Sequence, residues 1–149
     1  MTFKIWAVFR ADAFPDDTIE DDLRILQFPG LNIAEALCEI LAAVGCTDVG
    51  KPSHEGEHGW HVHFKSAGRP FRCQISRIEP ETLLLFDKNY GSEGLFYRGP
   101  SRHAQLLERV QPVLEKDSRF RELNWYTQAE MDTVDWNLPV DETADDQRA

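Results

Sequence analysis

Residues 59–88 decide the fold, and they read GWHVHFKSAGRPFRCQISRIEPETLLLFDK. Apolar and polar residues alternate through the first two runs, which a short Gly-containing turn separates. This alternation is typical of antiparallel strands that pack one face on a core and leave the other face in water. The last run, residues 83–86, is apolar on both faces and predicts a central or covered strand. The stretch therefore predicts a three-stranded antiparallel meander.

The rest of the chain adds two helices and further strands around this meander. Residues 3–10 are rich in aromatic and β-branched residues and predict a strand, and residues 120–126 alternate as a closing strand would. Apolar residues at helical spacing predict one helix within residues 32–44 and a second within 101–116. The order predicts an α+β fold, a two-layer sandwich of about four to six antiparallel strands with both main helices on one face.

Local signals refine this outline. Asn32, with Glu35 three residues later, resembles a capping box at the start of the first helix. Pro112 predicts a kink or break of the second helix at Gln111, and residues 23–28 predict a short strand before Pro29. We expect four large side chains of the loop 89–100 to pack over an edge of the core: Tyr90, Leu95, Phe96 and Tyr97.

Length and composition indicate one globular domain. The 149 residues are 42% hydrophobic, which suits a single domain over residues 1–136. The acidic residues 137–149 have little to bury and are predicted to form a disordered tail.

No run approaches the roughly 20 apolar residues of a membrane span, and the start lacks a signal-peptide pattern. We expect a cytoplasmic protein with no membrane partner, and its three cysteines, which have no metal-ligand spacing, to be free thiols.

The net charge of −10 comes from the two ends of the chain. Residues 23–129 hold 13 acidic and 13 basic residues, whereas residues 1–22 carry a net charge of −4 and residues 130–149 a net charge of −6. A nucleic-acid-binding surface carries the opposite sign, so we expect no nucleic-acid partner. Acidic segments suit a protein partner with a basic surface.

Four histidines and two glutamates between residues 54 and 63 form the most site-like cluster. His61 and His63 lie on one face of the predicted strand, about 7 Å apart, and two histidines with a carboxylate would suit zinc. Because the third ligand has to come from a loop with no fixed spacing, we expect that these residues bind no metal. We also expect no other cofactor. No nucleophile motif or phosphate-binding loop is present, which favours a binding protein over an enzyme.

Three places are candidates for partner binding. The first is the acidic loop before the short strand, and the second is the polar face of the predicted sheet, which we expect to be open. The third is an aromatic residue near the end of the chain, which would either anchor a partner or fold back as a lid. The residues are Asp16, Asp17, Glu20, Asp21 and Asp22 in the loop, His61, His63, Arg72 and Gln74 on the sheet face, and Trp136.

Several short patterns resemble those of small, uncharacterised bacterial proteins in which a Gly-Trp strand follows a helix and a terminal Trp strand closes the domain. The resemblance spans residues 29–126 and implies an α+β fold. The patterns are Pro29-Gly30-x-x-Ile33-Ala34-x-x-Leu37, Gly59-Trp60-x-Val62-x-Phe64, Phe71-x-Cys73, Leu84-x-Phe86 and Asn124-Trp125.

In size, acidity and layout the chain is similar to two functional classes. One comprises the immunity proteins that neutralise bacterial toxins, and the other comprises secretion chaperones of the type III kind, whose α–β–β–β–α order it shares. The first resemblance implies a non-catalytic inhibitor that binds a cognate toxin. The second implies a dimer that binds an effector, and a metal-dependent enzyme at His61 and His63 is a third alternative.

Overall fold

The computed structural model describes residues 3–56 and 59–133. Trp136 and the predicted tail 137–149 lie outside the described residues. The described chain is α+β, as the sequence predicts. Its strands are β1 (Trp6–Arg10), β2 (Ile19–Glu20), β3 (Ile25–Gln27), β4 (Ser53–His54), β5 (Trp60–Ser66), β6 (Arg69–Ile78), β7 (Glu81–Lys88) and β8 (Arg121–Tyr126), and its helices are α1 (Leu31–Ala43), α2 (Arg102–Lys116) and α3 (Gln128–Asp132).

Six strands form one antiparallel sheet in the order β4-β5-β6-β7-β1-β8. The predicted meander is β5-β6-β7, and its register pairs His61 with Gln74 and Ile75 with Leu84. As predicted for a strand that is apolar on both faces, β7 is central, between β6 and β1. Strands β2 and β3, which follow β1 and precede α1 in the chain, form a separate two-stranded sheet.

The two longer helices cover one face of the large sheet, so the core is a two-layer sandwich. Residues at 3.6-residue spacing on each helix pack with alternate residues of β5, β6 and β7. Fully buried members of this core include Leu37, Val62, Phe71, Phe86 and Leu106.

Two details of the helices differ from the sequence prediction. Helix α2 continues through Pro112 to Lys116, so of the predicted kink or break at Gln111 the break is wrong; buried residues of the helix lie on both sides of the proline. Helix α1 begins one residue before Asn32 and has Gly30 as its N-cap, with no side-chain cap from within the helix. Asn32 instead accepts a hydrogen bond from the next backbone N–H and donates one to the Pro15 carbonyl.

The second face of the sheet is partly covered, contrary to the expectation of an open face. Helix α3 places Met131 against Val8 and Leu83 in a small second apolar cluster. The indole Nε1 of Trp6 donates a hydrogen bond to Gln128 Oε1 over 2.8 Å. Away from α3, the same face bears the histidines of β5.

The loop after β7 fits the expected packing only in part. Tyr90 packs edge-on against Phe71 and is partly buried, and the Arg102 guanidinium stacks on the Tyr97 ring at 3.9 Å. Leu95 and Phe96 are 86% and 84% exposed, so the prediction that they cover the core is wrong.

Candidate functional site

The segment between β1 and α1 carries most of the large apolar side chains that are exposed among the described residues. We call residues 16–28 the hairpin segment. Its tip is a turn in which the Asp21 carboxylate accepts hydrogen bonds of 2.9 Å from the backbone N–H groups of Leu23 and Arg24. Of the seven large apolar side chains that are exposed among the described residues, five belong to this segment: Ile19, Leu23, Ile25, Leu26 and Phe28.

The base of the hairpin segment is held firmly. Trp60 Nε1 donates to the carbonyl oxygens of Phe28 and Pro29, at 3.2 Å each. The Phe28 ring stacks on His54 with centroids 4.1 Å apart, and Gln27 Nε2 donates to the Asp17 carbonyl over 2.6 Å. The base is therefore fixed to the large sheet while the tip is in solvent.

The five acidic residues proposed for partner binding have different local roles. Asp16 accepts hydrogen bonds from both the backbone and the hydroxyl of Thr18, which lower the pKa of its carboxyl group. Asp17 is half-buried and binds the first turn of α1, and Asp21 shapes the tip. The side chains of Glu20 and Asp22 are exposed and form no hydrogen bond or ion pair with the side chains or backbone of the described residues. Of the five candidate carboxylates, these two are therefore the ones fully available to a partner.

Among the four predicted residues of the polar sheet face, His61 is the one whose exposure differs most from the prediction. The ring is 2% exposed, and Glu55 Oε2 lies 2.8 Å from His61 Nδ1. His63 is exposed, as expected. Arg72 forms an ion pair with Asp87 at 3.3 Å, and Gln74 Nε2 donates to Ser76 Oγ over 3.3 Å. The expectation that this face is open is therefore wrong at His61, and Arg72 and Gln74 are half-buried with partners of their own.

Glu55, His61 and His63 together are the described residues that could hold a metal ion. One ligand atom from each lies within 4.8 Å of the other two. Glu55 is not part of a loose loop, because it directly follows β4 and its backbone N–H donates to the Gly59 carbonyl over 2.9 Å. The sequence identified both histidines but could not assign the carboxylate.

A cavity of about 760 Å³ is lined by His54 and Gly56, the two neighbours of Glu55 in the chain. It lies where β6 extends past the start of β5, and Phe28, His54, Gln74 and Met131 contribute to its walls. Arg77 also lines it, with a side chain that is 9% exposed and an Nη2 atom 3.0 Å from Glu79 Oε1. Its Nε and Nη1 atoms have no hydrogen-bond partner within the described part of the chain.

Sequence reasoning missed helix α3, although a signal for it was present. Thr127 and Glu130 form a capping box, in which the threonine hydroxyl accepts from the Glu130 N–H and the glutamate accepts from the Thr127 N–H. The Thr-x-x-Glu spacing is visible in the sequence and is typical of a helix start. It was overlooked because the helix has five residues and one buried apolar side chain, too few for a periodic pattern.

Comparison of the chain with protein-family models, with curated proteins and with solved structures finds no match in any of the three. Among residues 3–56 and 59–133, no helix has both the length and the apolar character needed to span a membrane. The three cysteines are free thiols.

Proposed function

We propose that this chain is a non-catalytic binding protein that docks a protein partner with a basic surface, and that the hairpin segment makes the contact. The observation that carries the proposal is the concentration of exposed apolar side chains on the segment that also carries unpaired carboxylates. Leu23, at the tip, is 95% exposed. Contiguous exposed apolar surface rimmed by polar groups is characteristic of protein interaction sites.

The anchored base of the hairpin segment supports this role. A segment that is already fixed by Trp60 and Phe28 loses less conformational freedom on binding than a free chain end would. Its apolar tip would supply most of the binding free energy, and Glu20 and Asp22 would steer a basic partner into place. Charges at such a rim act mainly on the association rate.

The sheet face supports partner binding less well. Arg72 and Gln74 already have intramolecular partners, and His61 is buried with Glu55 against its ring. Of the four residues predicted there, only His63 is exposed. Direct hydrogen bonds from the other three to a partner would require existing contacts to break.

Within this proposal, the first candidate function is that of an immunity protein, a cytoplasmic protein that binds and blocks a basic cleft of a cognate toxin. The second candidate is an effector-binding secretion chaperone, which holds an unfolded partner on apolar surface. The exposed pair Leu95 and Phe96 favours this second candidate, because it supplies a further apolar patch outside the hairpin segment.

The experiment begins with a photo-crosslinking amino acid in place of Leu23, introduced in the native host to capture the partner. The captured protein is then purified and tested for direct binding to the wild type and to a Leu23→Ser/Leu26→Ser variant. We expect the variant to retain its fold and to lose most of its affinity, because both side chains are more exposed than buried. Unchanged affinity in the variant would refute docking through the hairpin segment.

A growth assay separates the two candidate functions. If the chain is an immunity protein, expression of the captured partner alone arrests bacterial growth, and co-expression with this chain restores it. The Leu23→Ser/Leu26→Ser variant should fail to restore growth at equal abundance. A partner that is harmless alone and is secreted only in the presence of this chain would instead identify a chaperone.

A further inference from the structure

We propose that Glu55, His61 and His63 form a binding site for one divalent cation of the zinc class. This inference is independent of partner docking, because the cluster lies on the large sheet and includes no residue of the hairpin segment. It concerns metal binding alone and assigns no reaction to the site.

The positions of the two histidines follow from the strand. Residues two apart in a β-strand point to the same face, so β5 directs His61 and His63 to the side of the sheet opposite α1 and α2. Their ring centroids are 6.4 Å apart. The neighbouring core residue Val62 points the other way and is fully buried, which fixes the orientation of the strand between them.

The position of the carboxylate follows from the β4–β5 pairing. Ser53 pairs with His61 and His54 pairs with Trp60, so the chain turns back immediately after β4. The hydrogen bond from the Glu55 N–H to Gly59 fixes the backbone of Glu55 at this turn. Its Oε2 atom then reaches His61 Nδ1 at 2.8 Å. Strand β5 therefore positions the two histidines, and the turn after β4 positions the glutamate.

The separations suit a single small cation. Ligand atoms bound to one tetrahedral zinc at 2.0–2.1 Å lie about 3.3 Å from one another. The three candidate atoms already lie within 4.8 Å of one another, so the side chain of exposed His63 needs only a small rotation. Two imidazoles and one carboxylate form a donor set that suits zinc and neighbouring transition metals, whereas Mg²⁺ and Ca²⁺ prefer oxygen ligands alone.

The surroundings leave space for further ligands. Three protein ligands leave a coordination position of zinc for water or another small ligand. Glu55 lies between His54 and Gly56, both of which line the cavity, and His61 is the cross-strand neighbour of Gln74, which also lines it. Neighbours of two of the three proposed ligands therefore line the cavity, although the ligands themselves do not.

The test uses full-length protein produced without a histidine tag, treated with chelator and titrated with Zn²⁺ alone in a calorimeter. We expect one ion per chain, and a higher Tm with Zn²⁺ than after chelation. His63→Ala and Glu55→Gln should each weaken Zn²⁺ binding by roughly tenfold or more, since even residues that merely support a metal ligand have effects of that size. Lys65→Ala is the matched control, because Lys65 lies on the same strand and face and is exposed.

Three results would overturn the site. They are the absence of stoichiometric Zn²⁺ binding, an affinity that neither variant changes, and an affinity that His63→Ala lowers but Glu55→Gln leaves unchanged. Because His63 is exposed, its replacement should not unfold the protein, so this variant keeps the test valid even if Glu55→Gln is unstable. Circular dichroism of each variant before titration confirms the fold. Loss of affinity in both variants, with Lys65→Ala unchanged, is the result that we expect.

Discussion

The carboxylate of Asp17 lies against the start of α1, with its Oδ2 atom 2.8 Å from the backbone nitrogen of Asn32. Its Oδ1 atom also accepts a hydrogen bond from the Gly30 N–H over 2.9 Å. The first turn of α1 contains no acidic residue of its own. A residue from the hairpin segment thus satisfies two of the N–H groups that a helix start leaves without partners, and its negative charge complements the helix dipole.

We predict that Asp17→Ala lowers the free energy of unfolding by about 1–2 kcal/mol, as the loss of a helix cap does. Urea denaturation followed by circular dichroism measures this value. Asp22→Ala is the control, because Asp22 is in the same acidic run but is exposed and has no such contact, and it should change stability little. Equal effects of the two substitutions would contradict the capping role of Asp17.

We predict that Gly59→Ala is strongly destabilising. Gly59 has a φ of 75°, and a Cβ added there would lie 2.1 Å from the carbonyl oxygen of Ile75. Gly68→Ala is the matched control, since its φ of 77° is similar but its Cβ would meet nothing within 4 Å.

The control should lose about 1–2 kcal/mol from the left-handed backbone alone. Gly59→Ala should lose a further 1–3 kcal/mol or so from the overlap. Thermal and urea denaturation of both variants measure the difference. If the two losses are equal, then the close approach of Gly59 to β6 is not a constraint on the fold.

His103 should make stability depend on pH. Its ring is buried, and its Nε2–H donates to the Phe86 carbonyl over 2.6 Å. Burial lowers the pKa of His103, and the hydrogen bond to Phe86 and the nearby Asp87 carboxylate oppose this shift more weakly.

Because the folded-state pKa is below the unfolded value of about 6.5, the unfolded chain binds a proton first as the pH falls. The contribution of His103 is therefore complete above about pH 6.5 and is lost as the pH falls towards the folded pKa. We predict that the slope of the unfolding free energy against pH, measured between about pH 5 and 7, is smaller in His103→Gln than in the wild type. An identical slope would show that His103 does not contribute to it.

The sequence predicts the meander well because its strands alternate strictly and a one-residue slip would expose every core side chain. The burial of His61 could not be predicted in the same way. The ring lies against Glu55, which follows a two-residue strand and reaches His61 only after β4 pairs with β5. A strand face that alternates as polar in the sequence can therefore still hold a side chain that tertiary contacts bury.

The sequence predicts where the candidate docking site lies, but not the contacts or the exposure of its individual residues. The acidic run 16–22 indicates the hairpin segment, yet it does not show that Asp17 caps a helix 15 residues away. The sequence also does not predict that Leu23 and Leu26 are exposed, because apolar residues in a predicted short strand usually indicate burial. The capping by Asp17 and the exposure of the two leucines depend on which residues meet in the folded chain, so only the tertiary structure shows them.

The most direct test of the central claim is the association rate between the purified partner and three forms of this protein, measured at low and high salt. The forms are the wild type, a Glu20→Gln/Asp22→Asn variant of the hairpin segment, and a His63→Ala variant of the sheet face. We predict that the hairpin variant associates several-fold more slowly at low salt and depends less on salt, whereas His63→Ala behaves as the wild type. Wild-type association by the hairpin variant, together with faster dissociation of His63→Ala, would contradict the claim and place the contact on the sheet.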